Sequence, residues 1–353
     1  VTGVQTCALP ILLTVPRSPF FAILGGIWIV ALVGSVLSPS AGMSIAGYGF
    51  ETTTWLFLTV FAACIAAAYQ VLREYRRVGV LFGLLFASFA VIFVFHLVRF
   101  IGGPSIATLG VLGGNTSTLI GSWGDLGMFF GMVLLLSTLT LELAGLARVF
   151  KWGVAGIAAA SGIALAFMNI GIVWIVLGSV SLLVTLYLFA FAYWDTSSKS
   201  YKKENRVPWY VLGLFVFSII CLFFGPSLGS LASRHQNISW NDVRPSFTSS
   251  VQVAGKNLVR NFATGYGPNT FSLGWSLAKP IALSGGTLSG ADFSQGYSYG
   301  MTQVATGGVL GAMLWIAFFL TLGYLVVRRM GKGFESSLDR YFAVSIAVLV
   351  IYL

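Results

Sequence analysis

What most constrains this chain is a series of apolar runs, each near the length that crosses a bilayer, separated by short polar links. A crossing helix needs about 20 apolar residues at roughly 1.5 Å rise each. Runs of this kind lie near 19–37, 52–71, 78–98, 122–147, 152–168, 170–193, 208–227, 302–327 and 339–353. Hydrophobic residues make up 57% of the 353 and charged residues only 8%, against roughly 25% charged in soluble domains. The expected fold class is therefore an all-α polytopic membrane protein with about nine transmembrane helices. The fifth and sixth runs are separated only by Met168-Asn169-Ile170-Gly171, which suits either a tight hairpin or one bent, partly re-entrant pair.

The net charge of +10 does not mark a nucleic-acid binder, because the basic residues sit mostly in short loops between the apolar runs. With a cytoplasmic N-terminus and alternating spans, the inner segments carry Arg17; Arg73, Arg76 and Arg77; Arg148 and Lys151; Lys199, Lys202, Lys203 and Arg206; and Arg328, Arg329, Lys332 and Arg340. These are fourteen of the 20 Lys and Arg, so the positive-inside rule places every short basic loop on the same side. Of Cys7, Cys64 and Cys221, the last two lie inside apolar runs without metal-ligand spacing, which argues against a disulfide framework or zinc site. Cys7 belongs to Val1–Ile11, which resembles translated sequencing adaptor and is expected to be a non-native scar. The chain stops inside an apolar run at Leu353, so a longer native protein is expected.

Helices one to seven are expected over 12–227, a large extracytoplasmic loop over 228–300, and helices eight and nine over 301–353. The loop mixes Arg, Lys, His, Asp, Trp and Asn with short apolar patches. A loop this long is functional or disordered, and its tryptophans, tyrosines and spaced apolar residues point to an ordered segment at the membrane–water boundary. Within it, Pro245 and Ser246 suit the start of a helix, with Phe247, Val251 and Ala254 at helical spacing and Lys256, Leu258 and Val259 leading to Arg260. Arg244 and Arg260 bracket the two ends. Gly265-Tyr266-Gly267-Pro268-Asn269-Thr270-Phe271 reads as a turn, Trp275, Lys279 and Pro280 follow, and Thr306-Gly307-Gly308-Val309-Leu310-Gly311 opens the eighth span. The first outer loop, Ser38–Gly49, is rich in Gly and Ser and carries no obvious chemistry.

This order resembles the O-antigen ligase and polymerase family of bacterial membrane glycosyltransferases. Members have an arginine before an amphipathic loop helix, then a G-x-G-x-x-x-F turn, then a G-[LV]-[LV]-G start to the next span. The residue-level match covers about 243–311; the basic inner loops and the segment Asn115–Leu126, where many members have an Asn-rich span opening, extend it. The resemblance implies an enzyme of the bacterial cytoplasmic membrane that takes a glycan from undecaprenyl pyrophosphate and passes it to a hydroxyl on a lipid, glycan or protein acceptor, with no nucleotide sugar, metal or other cofactor. Arg244 matches the family's loop arginine and would hold the pyrophosphate, since arginine binds phosphate oxygens bidentately. Lys256, Arg260, Lys279 and Arg99 are further donor-binding candidates by charge and side.

One departure concerns the base. Many ligases have a histidine eleven residues before the glycine that opens the next span, and here that position is Tyr297. The loop histidine of this chain, His235, lies upstream of Arg244, so His235 and Tyr297 stand as the candidates beside Arg244. The alternative readings are an interfacial arginine pairing lipid headgroups for Arg244, snorkelling for Lys256 and Arg260, a solvated histidine for His235 and an aromatic-belt residue for Tyr297. Asp125 and Glu142 are carboxylates at the ends of an apolar run, where interfacial placement competes with function. His96 and Arg99 share a helix face and could line the donor cavity or form a structural pair. The rival functions are a polymerase or protein O-oligosaccharyltransferase with the same donor, a transporter or flippase, and a non-catalytic scaffold for envelope assembly.

Overall fold

The computed structural model describes residues 18–48, 51–103, 106, 108, 110, 112, 117–194, 207–236, 245–278, 292–332, 334 and 336–352, with backbone alone at 191–194, 226 and 228–236. Every regular element among the described residues is an α-helix: α1 (Pro19–Val36), α2 (Ala41–Ile45), α3 (Trp55–Val71), α4 (Tyr75–Gly102), α5 (Trp123–Leu143), α6 (Arg148–Met168), α7 (Gly171–Trp194), α8 (Trp209–Gln236), α9 (Phe247–Arg260), α10 (Phe271–Ala278), α11 (Tyr299–Met330) and α12 (Ser337–Tyr352). Six of them, α1, α4, α5, α6, α7 and α11, are long and apolar enough to cross a membrane. α3 and the Trp209–Gly225 part of α8 are apolar but shorter. The chain is thus a polytopic helical membrane protein. α8 continues to Gln236, past the loop boundary expected at 228: the end of an apolar run does not by itself end a helix, since Leu, Ala, Arg and Gln all support one.

The helices fall into two units, Val1–Val71 with Asp242–Val327, and Leu72–Asn241 with Arg328–Leu353. In the second unit α5 is the central helix, packed against α4, α6, α7, α8 and α12. Small residues make that possible. A Cβ on Gly131 would overlap the Tyr352 hydroxyl and lie 2.7 Å from Val173, and one on Gly127 would overlap Ile170. The buried hydroxyls of Ser137, Thr138 and Thr140 donate to carbonyls of their own helix, at Leu134 (3.0 and 2.7 Å) and Leu136 (2.7 Å). They therefore need no water in the core.

The short link at 168–171 is a tight turn between two separate helices. Asn169 ends α6 in the left-handed region, φ 48°, a conformation Asn tolerates better than most residues. α8 packs against both α6 and α7. The two carboxylates at the ends of α5 serve helix ends. Asp125 forms a reciprocal cap with Ser122, and Glu142 accepts from the Tyr210 N–H at the start of α8, 2.8 Å. Buried Asp339 accepts from the Tyr75 hydroxyl at 2.5 Å and from Arg329.

In the first unit α1 packs on α3 and on α11 through Leu24, Ile27 and Phe318. α9 and α10 enclose a smaller core of Val253, Ala254, Phe271, Trp275, Phe293 and Ala305. The two regions meet where α11 breaks. Gly308 has φ 63° and ψ −165°, a combination essentially confined to glycine. The N–H groups of Val309 and Leu310, which a continuous helix would direct to its preceding turn, donate instead to Phe262 O (3.0 Å) and Ala263 O (3.2 Å). The Thr306 carbonyl accepts from the Gly267 N–H at 2.9 Å. Gly265 supplies the other side of this contact: its φ is 62° and a Cβ there would lie 2.6 Å from the Thr306 carbonyl. The expected start of the eighth span at 306–311 is therefore a break inside a helix that begins earlier, at Tyr299.

Two alanine substitutions three residues apart should move stability in opposite directions. Gly308→Ala forces a Cβ to within 2.5 Å of the Ala263 carbonyl oxygen and should cost about 3 kcal/mol or more. Gly311→Ala meets nothing within 4 Å and should raise stability by up to about 1 kcal/mol. Thermal unfolding of both variants in detergent, followed by circular dichroism, checks the pair.

Candidate functional site

α9 is built as a three-sided helix. Ser246 caps it, its hydroxyl accepting from the Ser249 N–H at 3.1 Å. The face turned into the protein is small and polar: Ser249, Ser250, Val253, Ala254 and Asn257. The larger apolar residues point outward, with Phe247 54% exposed and Val259 88% exposed. Lys256 and Arg260 lie one turn apart on the remaining side and are both exposed. An outward apolar strip flanked by cations is the pattern of a helix lying in the membrane–water boundary.

The two cations are lightly held. The Lys256 ammonium donates to Ala278 O at 3.3 Å, at the end of α10, and Arg260 donates to the Tyr266 hydroxyl at 3.2 Å. Among the described residues no carboxylate lies within ion-pair distance of either. Arg260 has five N–H donors and spends one on Tyr266, so its guanidinium retains the fork that grips a phosphate.

Tyr297 sits at the other end of α9. Its N–H donates to the Ser250 hydroxyl at 2.8 Å and its ring meets Phe247 edge-on at 5.9 Å, leaving it 52% exposed. Six and ten residues separate Ser250 from Lys256 and Arg260 along the helix, or roughly 9 and 15 Å at the helical rise. Tyr297 and the two cations therefore occupy separate ends of one surface.

The turn after α9 is pinned by Asn269, a residue of positive φ (59°). Its side-chain oxygen accepts from Thr53 at 2.7 Å, and its amide donates to Met43 O at 3.2 Å and to the Glu51 carboxylate at 2.7 Å. Ser44 donates to Pro268 O at 2.5 Å. The Gly/Ser-rich first loop, which carried no visible chemistry in the sequence, is thus the surface on which the Gly-Pro-Asn turn docks. Asn269 was legible as a turn residue; its link to Glu51 and Thr53, more than 200 positions away, had no local signal.

Of the other sequence candidates, Arg244 and Lys279 lie outside the described residues, and His235 is placed by backbone alone, in the last turn of α8. Arg99 is in the second unit, only 6% exposed, and donates to Ser117 O at 2.9 Å and Leu112 O at 3.2 Å. Its surroundings are loop carbonyls, so its role there is to order the loop before α5. It does not pair with His96, whose Nε2 is buried without a partner. Among the described residues no three His, Cys, Asp or Glu side chains gather as metal ligands.

Asn269→Ala should lower stability by about 1–3 kcal/mol, because Glu51 and the Met43 carbonyl lose a part-buried donor. Asn269→Asp should do more harm at neutral pH, since it sets a second carboxylate against Glu51 at the present 2.7 Å. Unfolding midpoints of the two variants at neutral pH test this order.

Comparison with models of protein families, with curated proteins and with solved structures finds no match.

Proposed function

We propose that this protein transfers a glycan from undecaprenyl pyrophosphate to an acceptor hydroxyl at the outer face of the bacterial cytoplasmic membrane, as its resemblance to O-antigen ligases and polymerases implies. On this reading α3, α8 and α12 join the six longer helices to give nine crossings, the N-terminus is cytoplasmic, and the segment between α8 and α11 lies outside. The product belongs to lipopolysaccharide or another cell-envelope polysaccharide. The observation that carries the reading is the cationic side of α9, where Lys256 and Arg260 are exposed with no carboxylate of the described residues within ion-pair distance, on a helix whose apolar strip suits the lipid boundary.

In the reaction the acceptor oxygen bonds to the anomeric carbon while the carbon–oxygen bond to the pyrophosphate breaks. Undecaprenyl pyrophosphate leaves with the electron pair. Fixed cations stabilise that leaving charge, the role assigned to Arg244, Arg260 and Lys256, with Lys279 as a further contributor. The acceptor proton passes to a base, for which Tyr297 and His235 remain the candidates. Arg99 is the weakest of the donor candidates, because it is buried and directs its guanidinium at the Ser117 and Leu112 carbonyls.

A second reading has one feature in its favour. A broken span is common in transporters, and α11 is broken at Gly308, so movement of a lipid-linked glycan is the rival activity.

Reconstitution in proteoliposomes with undecaprenyl-pyrophosphate glycan decides between them. Wild-type protein should consume donor and form product, with a size ladder for a polymerase and a single addition for a ligase. Arg244→Ala and Arg260→Ala should each reduce turnover by about 100-fold or more while leaving insertion intact. Full activity in both variants would remove the proposal, and translocation without bond cleavage would favour the transporter.

A further inference from the structure

The break in α11 borders a cavity of about 180 Å³ lined by α1, α3 and α11 and by Thr52, Thr53, Thr54, Thr264 and Pro268. Its lining is graded along its length. Thr52, Thr264 and Gln303 mark one end, beside the pinned Gly-Pro-Asn turn, while Phe57, Phe61 and Trp315 continue the walls along the helices. None of the described lining residues carries a charge.

Gly311 opens directly onto this space. It is buried, lines the cavity, and a Cβ built on it meets no atom within 4 Å. Other buried glycines here behave differently: Gly131, Gly265 and Gly308 are each required by a neighbour that a Cβ would strike. At Gly311 no neighbour demands glycine, and what a larger side chain would occupy is the cavity itself.

The polar end separates into spent and available groups. The Thr54 hydroxyl is engaged at the start of α3, Thr53 donates to Asn269, and Thr306 donates to its own helix. Thr52 and Thr264 have no hydrogen-bonded side-chain partner among the described residues, while the Gln303 amide shares a hydrogen bond with the Tyr299 hydroxyl and keeps its remaining groups for a ligand. Hydroxyls and an amide both donate and accept. A carboxylate or phosphate here would lack the charged partner that makes such binding strong. Water would fill the apolar part poorly, since a buried water needs two to four polar partners.

We propose that this cavity binds a single hydrocarbon chain of a membrane lipid whose polar end is uncharged and bears hydroxyl groups. The chain lies along Phe57, Phe61 and Trp315, and the hydroxyls meet Thr52, Thr264 and Gln303. The site is separate from the cationic side of α9 and goes beyond the transfer reaction proposed above, because it offers nothing to a pyrophosphate.

The test is photolabelling of the full chain in phosphatidylcholine nanodiscs with a monoacylglycerol carrying a diazirine in mid-chain, and with the corresponding fatty acid as the charged comparison. Peptides containing Phe57, Phe61 or Trp315 should label about tenfold more strongly with the monoacylglycerol than peptides from the lipid-facing side of α4, and Gly311→Leu should remove that excess. Gly83→Leu, on the exposed side of α4 with nothing within 4 Å of its Cβ, should leave it unchanged. Unlabelled monoacylglycerol should compete on the wild-type protein and phosphatidylglycerol should not, which keeps the test open if Gly311→Leu fails to fold. Even labelling of all lipid-facing helices, or an undiminished excess in a folded Gly311→Leu protein, would overturn the site. Equal labelling by the fatty acid would overturn its preference for an uncharged end. Glycan transfer is read separately and does not enter either outcome.

Discussion

In a bilayer each backbone N–H and C=O must find its partner inside the protein, because no water is there to take it. The first unit meets this demand where it is hardest to meet. At Gly308 the ladder of α11 stops, and the carbonyls of Phe262 and Ala263 stand in for those of the preceding turn. The polar segment is consequently part of the fold of the spans and not an appendage to them. Gly265 must lack a side chain for the strands of backbone to touch, Asn269 must hold a left-handed conformation for the turn to close, and the loop around Ser44 and Glu51 must receive it. Each of these conditions exists to place two carbonyls beside one interrupted helix.

The second unit satisfies the same demand by a different route. α5 is surrounded on most sides, yet its ladder is uninterrupted and its hydroxyls return to their own backbone. Close approach comes from Gly127 and Gly131, and the carboxylates of α5 are kept to its ends, where Asp125 and Glu142 accept from N–H groups at helix starts. Continuous helices of this sort make a stable body and leave little room for ligands. The first unit gives up that continuity and gains a cationic outer surface on α9 and an uncharged cavity beside the break. The two proposals rest on that difference: a charged surface at Lys256 and Arg260 suits phosphate oxygens, and the uncharged cavity by Gly311 suits a hydrocarbon chain with hydroxyls.

Much was readable from residue order alone. Apolar run length gave most long helices to within about a turn of their observed bounds, since a span must match the hydrocarbon thickness wherever it sits; α8, which continues to Gln236, is the exception. The Pro245-Ser246 start and the 3.6-residue spacing gave α9, because capping and amphipathicity act within a few residues. The sequence also put Lys256 and Arg260 on one face, a consequence of helical geometry. It could not tell which of the cations were already spent: Arg99 and Arg260 look alike as letters, and only the fold shows that one orders a loop while the other keeps most of its donors.

What the sequence determined by itself is therefore the all-helical, membrane-embedded character of the chain and the local form of its segments, because both follow from contacts between residues close in the chain. Tertiary structure alone decided that the glycine run at 306–311 is a break and not a helix start, that the loop between α1 and α3 receives the Gly-Pro-Asn turn, and that Gly311 faces an open space. Those facts depend on backbone and side chains separated by tens to hundreds of positions, from Phe262 and Val309 to Glu51 and Asn269. No periodicity records such pairings; they exist only once the chain has closed on itself.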